Sequence, residues 1–437
     1  MRVVYVLLTY LLAPIVMALE GWKAFWNPDY RGRLHQRLGF VAKQDRPGCL
    51  WVHAVSVGEV QAAAGLIREM RRRVPGLDVV LTTVTPTGAQ RVKALFGNEV
   101  RHCYLPYDLP GSVRRFLDRM RPSVAIIVET EIWPTLYHEL GRRRIPLVMA
   151  SARVSTRSVD RYRLMASLFR ETLSHGILIG AQSAADAERF RAIGAAPERV
   201  KVTGNIKFDL ELPQSEVEAG RDFRLSCASG RPVWIAGSTH EGEEDAVLAA
   251  QAIVRARHPS ALLILVPRHP QRFDAVAQLL RQRGVPFVRR SDNVPVPADV
   301  GVVLGDSMGE MLGYYAAADV VFVGGSLVPL GGQNLIEPIA LARPTLVGPH
   351  TFNFAEATAN ALAAGAVRRV DDADALLALV GALLGDRARC LAMAKAALDF
   401  HAAHRGAGQR LWQWLAPRIE AAVQPAANAR VSRTAGG

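Results

Sequence analysis

Three glutamates carry the first sign of chemistry. Glu59 lies in HAVSVGEVQAA (53–63), and Glu129 and Glu131 lie in VETEIWP (128–134). In both segments an apolar run gives way to a helical pattern, so the carboxylates fall where a strand ends and a helix begins. A carboxylate there can take a proton from a hydroxyl once burial raises its pKa. Ser56 and Gly58 make the Glu59 loop compact and let backbone approach a substrate closely. Glu59 is equally consistent with a plain first-turn acid that favours the helix dipole. Glu129 and Glu131 stand two residues apart where the apolar run gives way to a helix. One of the two is expected to face a cleft and the other to cap the helix, and the pattern does not say which. Pro134 suits an early helical position.

Four loops in the second half form another group: GSTHEGEE (237–244), PRHPQRF (267–273), GDSMGEM (305–311) and GGSLVPLGGQNLIEP (324–338). Ser238 and Thr239 precede an acidic helix start and are candidates to present amides and hydroxyls to a phosphate. Arg268 and His269 end an apolar run, where an unpaired buried charge is costly without a ligand. The 324–338 loop places Gly325 and Ser326 before Asn334 and Glu337. Amides for phosphate and a carboxylate for ribose hydroxyls make it a nucleotide candidate.

These loops need strands to hold them. Apolar runs recur at 50–56, 78–84, 102–107, 124–130, 146–152 and 176–181, each followed by a helical stretch. A second series runs at 232–238, 261–267, 301–306, 319–326, 344–348 and 366–370. Runs apolar on both faces and separated by helices predict parallel sheets in an α/β fold. Two such series predict two Rossmann-like domains with ligands at the carboxyl ends of the strands. The expected organisation is an N-terminal anchor at 1–26, one domain at 27–212, a second at 213–402, a C-terminal helix at 403–422 and a disordered tail at 423–437.

Composition narrows the function classes. The chain has 437 residues, half of them apolar and 21% charged, which excludes a disordered or low-complexity protein. Its four cysteines lie far apart and show no metal or redox spacing. The net charge is +13. Residues 1–215 hold 31 basic and 19 acidic side chains, and the remainder holds 22 and 21. That asymmetry predicts an anionic partner for the first half. Val3 to Leu19 form an uncharged apolar run, read as an anchor or deeply interfacial helix rather than a cleaved signal peptide. Lys23, Arg31, Arg33 and Arg37 follow it, which places the body on the cytoplasmic side. No P-loop or HExxH occurs, and Asp372-Ala373-Asp374 spells D-x-D only in the lead into a late helix. No basic-aromatic platform suggests nucleic acid.

The motifs together resemble the 3-deoxy-D-manno-octulosonic acid (Kdo) transferases of lipopolysaccharide assembly. The likeness runs through RLGF (37–40), HAVSVGEV (53–60), VETEIWP, SARVS (151–155), GNIKFD (204–209), PRHPQRF and GGSLVPLGGQNLIEP. It implies a GT-B glycosyltransferase with an interdomain cleft and no metal or other cofactor. The implied donor is CMP-Kdo, held by the C-terminal domain. The implied acceptor is a lipid A precursor (lipid IVA), met by the N-terminal domain at the anionic lipid of the cell inner membrane. The family's general base falls on Glu59, and a second acidic position falls on Glu129 or Glu131. Donor contacts fall on Arg268, His269, Met308, Gly309, Glu310, Gly325, Ser326, Asn334 and Glu337, beside Ser238 and Thr239. Acceptor contacts are expected at Arg37, Ser56 and Gly58. The competing readings are another GT-B enzyme, such as a UDP-sugar hexosaminyltransferase or 2-epimerase, and a non-catalytic scaffold on anionic lipid.

Overall fold

The computed structural model describes residues 2–26, 34–44, 47–154, 166–174, 176–417 and 419. Arg31, Arg33, Ser155 and the expected tail at 423–437 lie outside the described residues. The chain divides into two compact units: Met1–Asp209 joined by the chain from Arg405 onward, and Leu210–His404.

The first unit is built on a seven-stranded sheet in the order β3-β2-β1-β4-β5-β6-β7. Its strands are β1 (Cys49–His53), β2 (Val79–Thr83), β3 (Arg101–Tyr104), β4 (Pro122–Val128), β5 (Leu147–Ala152), β6 (Leu178–Ala181) and β7 (Val200–Val202). All pair in parallel, with β1 bonded to β2 on one side and β4 on the other. The order therefore reverses between β1 and β4. Trp51 and Tyr137 join the core on one face of the sheet, and Leu50, Val52 and Ile67 join that on the other. Trp51 satisfies its indole through Thr82 Oγ1 at 2.9 Å, so burial leaves no orphan donor.

The last described helix, 407–417, packs Leu411, Trp412 and Leu415 into the second of these cores. Each fully buried leucine contributes about 1.5–3 kcal/mol relative to exposure. Asp209 caps this helix from across the chain. It accepts from the amides of Gly406 (2.6 Å), Ala407 (3.2 Å) and Gly408 (2.5 Å).

The second unit repeats the plan with the order β10-β11-β9-β8-β12-β13-β14. The strands are β8 (Val233–Thr239), β9 (Leu262–Pro267), β10 (Phe287–Arg289), β11 (Val302–Leu304), β12 (Val320–Val323), β13 (Thr345–Val347) and β14 (Val367–Arg369). Here the order reverses between β8 and β12, which are hydrogen-bonded neighbours. Trp234 is buried in the core, its indole held by Gln251 Oε1 at 2.7 Å.

The α/β class and the parallel sheets agree with the sequence reading. Two strands escaped it, β7 (VKV) and β10 (FVR). Both are three-residue edge strands carrying a charge, and edge strands need neither length nor a continuous apolar run.

Candidate active site

Open α/β sheets bind ligands at the carboxyl ends of strands where the order reverses. Glu59 follows β1, while Glu129 and Glu131 follow β4, so all three glutamates stand at the reversal of the first sheet. Glu59 sits in the first turn of the helix Val57–Arg73, three residues after the N-cap Ser56. Its Oε2 accepts from the Val55 amide at 2.7 Å, and its Oε1 accepts from Ser56 Oγ at 3.2 Å. Burial pushes its pKa up to about 7, and the nearby charges of Glu129 and Glu131 add to the push. Burial also raises Glu131 above the usual carboxylate range, with Glu129 contributing. Gly58 is exposed on the same turn.

Residues two apart on extended chain share a face, so the spacing alone gives no reason to expect just one of Glu129 and Glu131 at the site. Glu129 has φ 62°, so the chain leaves the extended conformation there. The charges of both raise the Glu59 pKa. Glu129 is ion-paired with Lys207 and lies 3.7 Å from Arg153 Nε. Both cations lie in the segments SARVS and GNIKFD, where the sequence carries no sign that they pair with Glu129.

Arg37 is half-buried and engaged with the fold. Its guanidinium donates to the carbonyls of Leu105 (2.7 Å) and Val84 (3.4 Å) and lies over the Tyr107 ring. It ties together the chain leaving β2 and β3. His53, at the end of β1, is fully buried and pushed down to about 3 by that burial, so it is neutral.

In the second unit the loops after β8, β9 and β12 converge. Arg268 and His269 are exposed, not buried as the apolar run suggested. The strand ends at Pro267, and both side chains leave the sheet beyond it. Arg268 Nε donates to Gln333 Oε1 at 3.1 Å, and Gln333 Nε2 lies 3.2 Å from His240 Nε2. The rings of His240 and His269 meet edge to face at 5.4 Å. Desolvation and the guanidinium charges of Arg268 and Arg272 hold both histidines below their usual pKa, with His269 the larger charge effect at His240. Arg272 is committed to Glu244 at 2.6 Å. Among the described residues Arg268 has no carboxylate partner, so it is the uncommitted cation of this cluster.

The amides of Gly325 and Ser326, expected to hold phosphate, are already engaged. Glu243 is fully buried and accepts from Gly325 N (2.6 Å), Ser326 N (3.0 Å), Leu327 N (3.0 Å) and His240 N (2.9 Å). Its carboxylate fastens the β8 loop to the β12 loop at the sheet reversal. Ser326 Oγ donates to Val323 O and accepts from Gly348 N at 2.8 Å. The Thr239 hydroxyl donates to Glu244 Oε1 at 2.9 Å. Ser238 adopts φ 59° and is half-buried. Gly325, Ser326 and Thr239 thus shape the loops rather than present free donors. Glu243 was missed because an acid in a helix lead reads as a dipole-favouring residue; nothing in the sequence marks it as buried.

Asn334 donates to Glu337 Oε1 at 2.9 Å and accepts from Ile336 N, fixing Glu337 at the start of the helix Ile336–Ala340. The Met308-Gly309-Glu310 loop follows β11, the neighbour of β9 in the sheet. Met308 is exposed, Gly309 has φ 85°, and Glu310 is held by Arg290 (2.9 Å), Ser307 and Tyr314 (3.1 Å). Asp372 of the D-x-D caps the helix Ala373–Gly385 through Ala375 N at 2.8 Å.

A family model described as 3-deoxy-D-manno-octulosonic-acid transferase (Kdo transferase) matches residues 32–210. A 3-deoxy-D-manno-octulosonic acid transferase of Haemophilus influenzae is 41% identical over 422 residues, covering 96% of this chain and 99% of that protein. One from Bordetella pertussis is 40% identical over 437 residues, covering 95% and 99%. The chain belongs to the Kdo transferase family.

It is accordingly a glycosyltransferase. The fold agrees with a solved structure of UDP-GlcNAc 2-epimerase from Neisseria meningitidis bound to UDP-GlcNAc, at TM-score 0.60 and 15% identity, covering 84% of this chain and 99% of that one. At that identity the likeness concerns the GT-B architecture alone. The Kdo transferase thus carries an acidic group at the reversal of its first sheet and a cationic group at that of its second.

Proposed function

We propose that this Kdo transferase takes Kdo from CMP-Kdo and places it on a hydroxyl of a lipid A precursor, lipid IVA, without a metal ion. Glu59 removes the proton of the attacking hydroxyl. The acceptor oxygen bonds to the anomeric carbon of Kdo as the bond from that carbon to the CMP phosphate oxygen breaks. CMP leaves with the electron pair, and Arg268 meets its charge. The observation that carries this reading is the Glu59 carboxyl, pushed up to about 7 at the reversal of a Rossmann-like sheet. A base with that affinity takes a proton at neutral pH and releases it again. Location at the cytoplasmic face of the inner membrane is supported by the apolar helix Arg2–Trp26 and by the basic surplus of residues 1–215.

The test is turnover of CMP-Kdo and lipid IVA by wild type and Glu59→Gln. The variant is expected to lose about 10²–10⁴ in kcat while still binding CMP. Wild-type turnover by the variant sinks the base assignment. Titration with UDP in place of CMP checks the donor, and comparable affinity for both would overturn the CMP reading.

A further inference from the structure

The helix Arg2–Trp26 is apolar enough to cross a membrane, with mean hydropathy 2.1 over its best window. Its burial pattern tells against crossing. Arg2, Val6, Thr9, Ala13, Met17, Glu20 and Ala24 are half-buried. They recur at three- and four-residue steps and so form one face along the whole helix.

That face lies on the first unit at both ends. Near the start, Arg2 Nε is 3.4 Å from Glu171 Oε1, and the Tyr5 hydroxyl donates to Asp108 Oδ2 at 2.9 Å. A Cβ built on Gly111 would stand 3.9 Å from the Tyr10 hydroxyl. Toward the other end, Met17, Glu20 and Ala24 stay half-buried, and the helix lies beside the short helix Leu34–Arg37 of the same unit. Asp108 itself is buried and holds the Thr135 and Leu136 amides, so the Tyr5 anchor belongs to the folded body. The opposite face is bare: Leu7, Leu11, Ile15, Leu19, Trp22 and Trp26 are 57–72% exposed.

From Arg2 to Glu20 the helix rises about 27 Å. A spanning helix would set those two ends on opposite sides of a hydrocarbon layer about 30 Å thick. One water-soluble α/β unit cannot touch both without entering the bilayer itself.

We propose that Arg2–Trp26 lies in the plane of one leaflet, strapped to the first unit by its small and polar face, with its leucine and tryptophan face in lipid. The occupant of that bare face is a phospholipid bilayer containing anionic lipid. The exposed Arg114 and Arg142 stand on helices adjoining this one; both lie by the buried Glu139, at 2.8 and 3.9 Å, and two positive charges against its one leave a surplus that suits lipid phosphates. This rests on the membrane reading above and adds the orientation.

The test uses the full chain with the partly exposed Cys227 and Cys390 replaced by serine, leaving Cys49 and Cys103 buried. Leu7→Cys, Leu11→Cys, Ile15→Cys and Leu19→Cys each carry a nitroxide on a bare, non-packing site. Each protein is reconstituted in phosphatidylethanolamine–phosphatidylglycerol vesicles, and label depth is read from collision with oxygen and a nickel chelate. The in-plane helix predicts one shallow depth at all four sites, about 5–10 Å below the headgroup boundary. A depth that peaks mid-helix and falls toward both ends overturns the proposal while keeping the membrane reading. Failure to float with the vesicles overturns both.

Discussion

At the residue scale, Glu59 separates two physical roles by the sign of one experiment. A cap that loses its charge weakens the fold by about 1 kcal/mol. A carboxylate held high by burial does the opposite. Its folded pKa of about 7 exceeds the ordinary 4.5, so any stability linked to its proton is complete below about pH 4.5 and lost as pH rises through 7. Glu59→Gln is therefore expected to be more stable than wild type at pH 8 by about 1–2 kcal/mol, and equal to it at pH 4. Denaturant melts at the two pH values check this, and a loss at pH 8 returns Glu59 to the capping role. Catalysis carries the complementary sign: kcat/KM of wild type should rise through about pH 7 as the base form fills. For Arg268, Arg268→Ala is expected to weaken CMP binding about 10–100-fold, since a charge-assisted contact is worth about 1.5–3 kcal/mol. Calorimetric titration reads it, and unchanged affinity removes Arg268 from the donor site. The glutamates were legible as strand-end acids, but the backbone turn at Glu129 and its pairing with Lys207 were not. A φ of 62° and an ion pair to a residue seventy-eight positions on leave no mark on a two-residue spacing.

At the element scale, strands were legible where they are central and apolar on both faces. The edge strands β7 and β10 were not, because pairing on one side asks little of their sequence. Loop chemistry divided in the same way. GGSLVPLGGQNLIEP was readable as a functional loop at a strand end, yet its amides serve Glu243, a residue more than eighty positions earlier in the chain. Long-range satisfaction of buried donors leaves no local pattern. Asp209 is another such tie. It ends the first pass of the chain through the first unit and caps the helix that returns to it at 407–417. Asp209→Ala is expected to lower stability by about 1–2 kcal/mol. Limited proteolysis should then release the C-terminal helix sooner, and an unchanged cleavage rate would show that the cap does not hold the return.

At the scale of the whole molecule, the charge asymmetry runs with the division into two units. The basic surplus lies with the unit that carries the apolar helix, and the near-neutral remainder carries a small cationic cluster around Arg268. A local guanidinium suffices for one nucleotide phosphate, whereas a lipid surface calls for a distributed field. The same division bears on metal dependence. On the proposal that Arg268 meets the leaving phosphate, transfer is expected to survive exhaustive EDTA. Loss of activity that Mg²⁺ restores would assign the phosphate charge to a cation instead. The most direct measurement of the central claim is mass analysis after incubating the purified chain with CMP-Kdo and lipid IVA. The account predicts a lipid heavier by whole Kdo residues with release of CMP, absent with Glu59→Gln. An unmodified lipid and intact CMP-Kdo with the wild-type chain would contradict it.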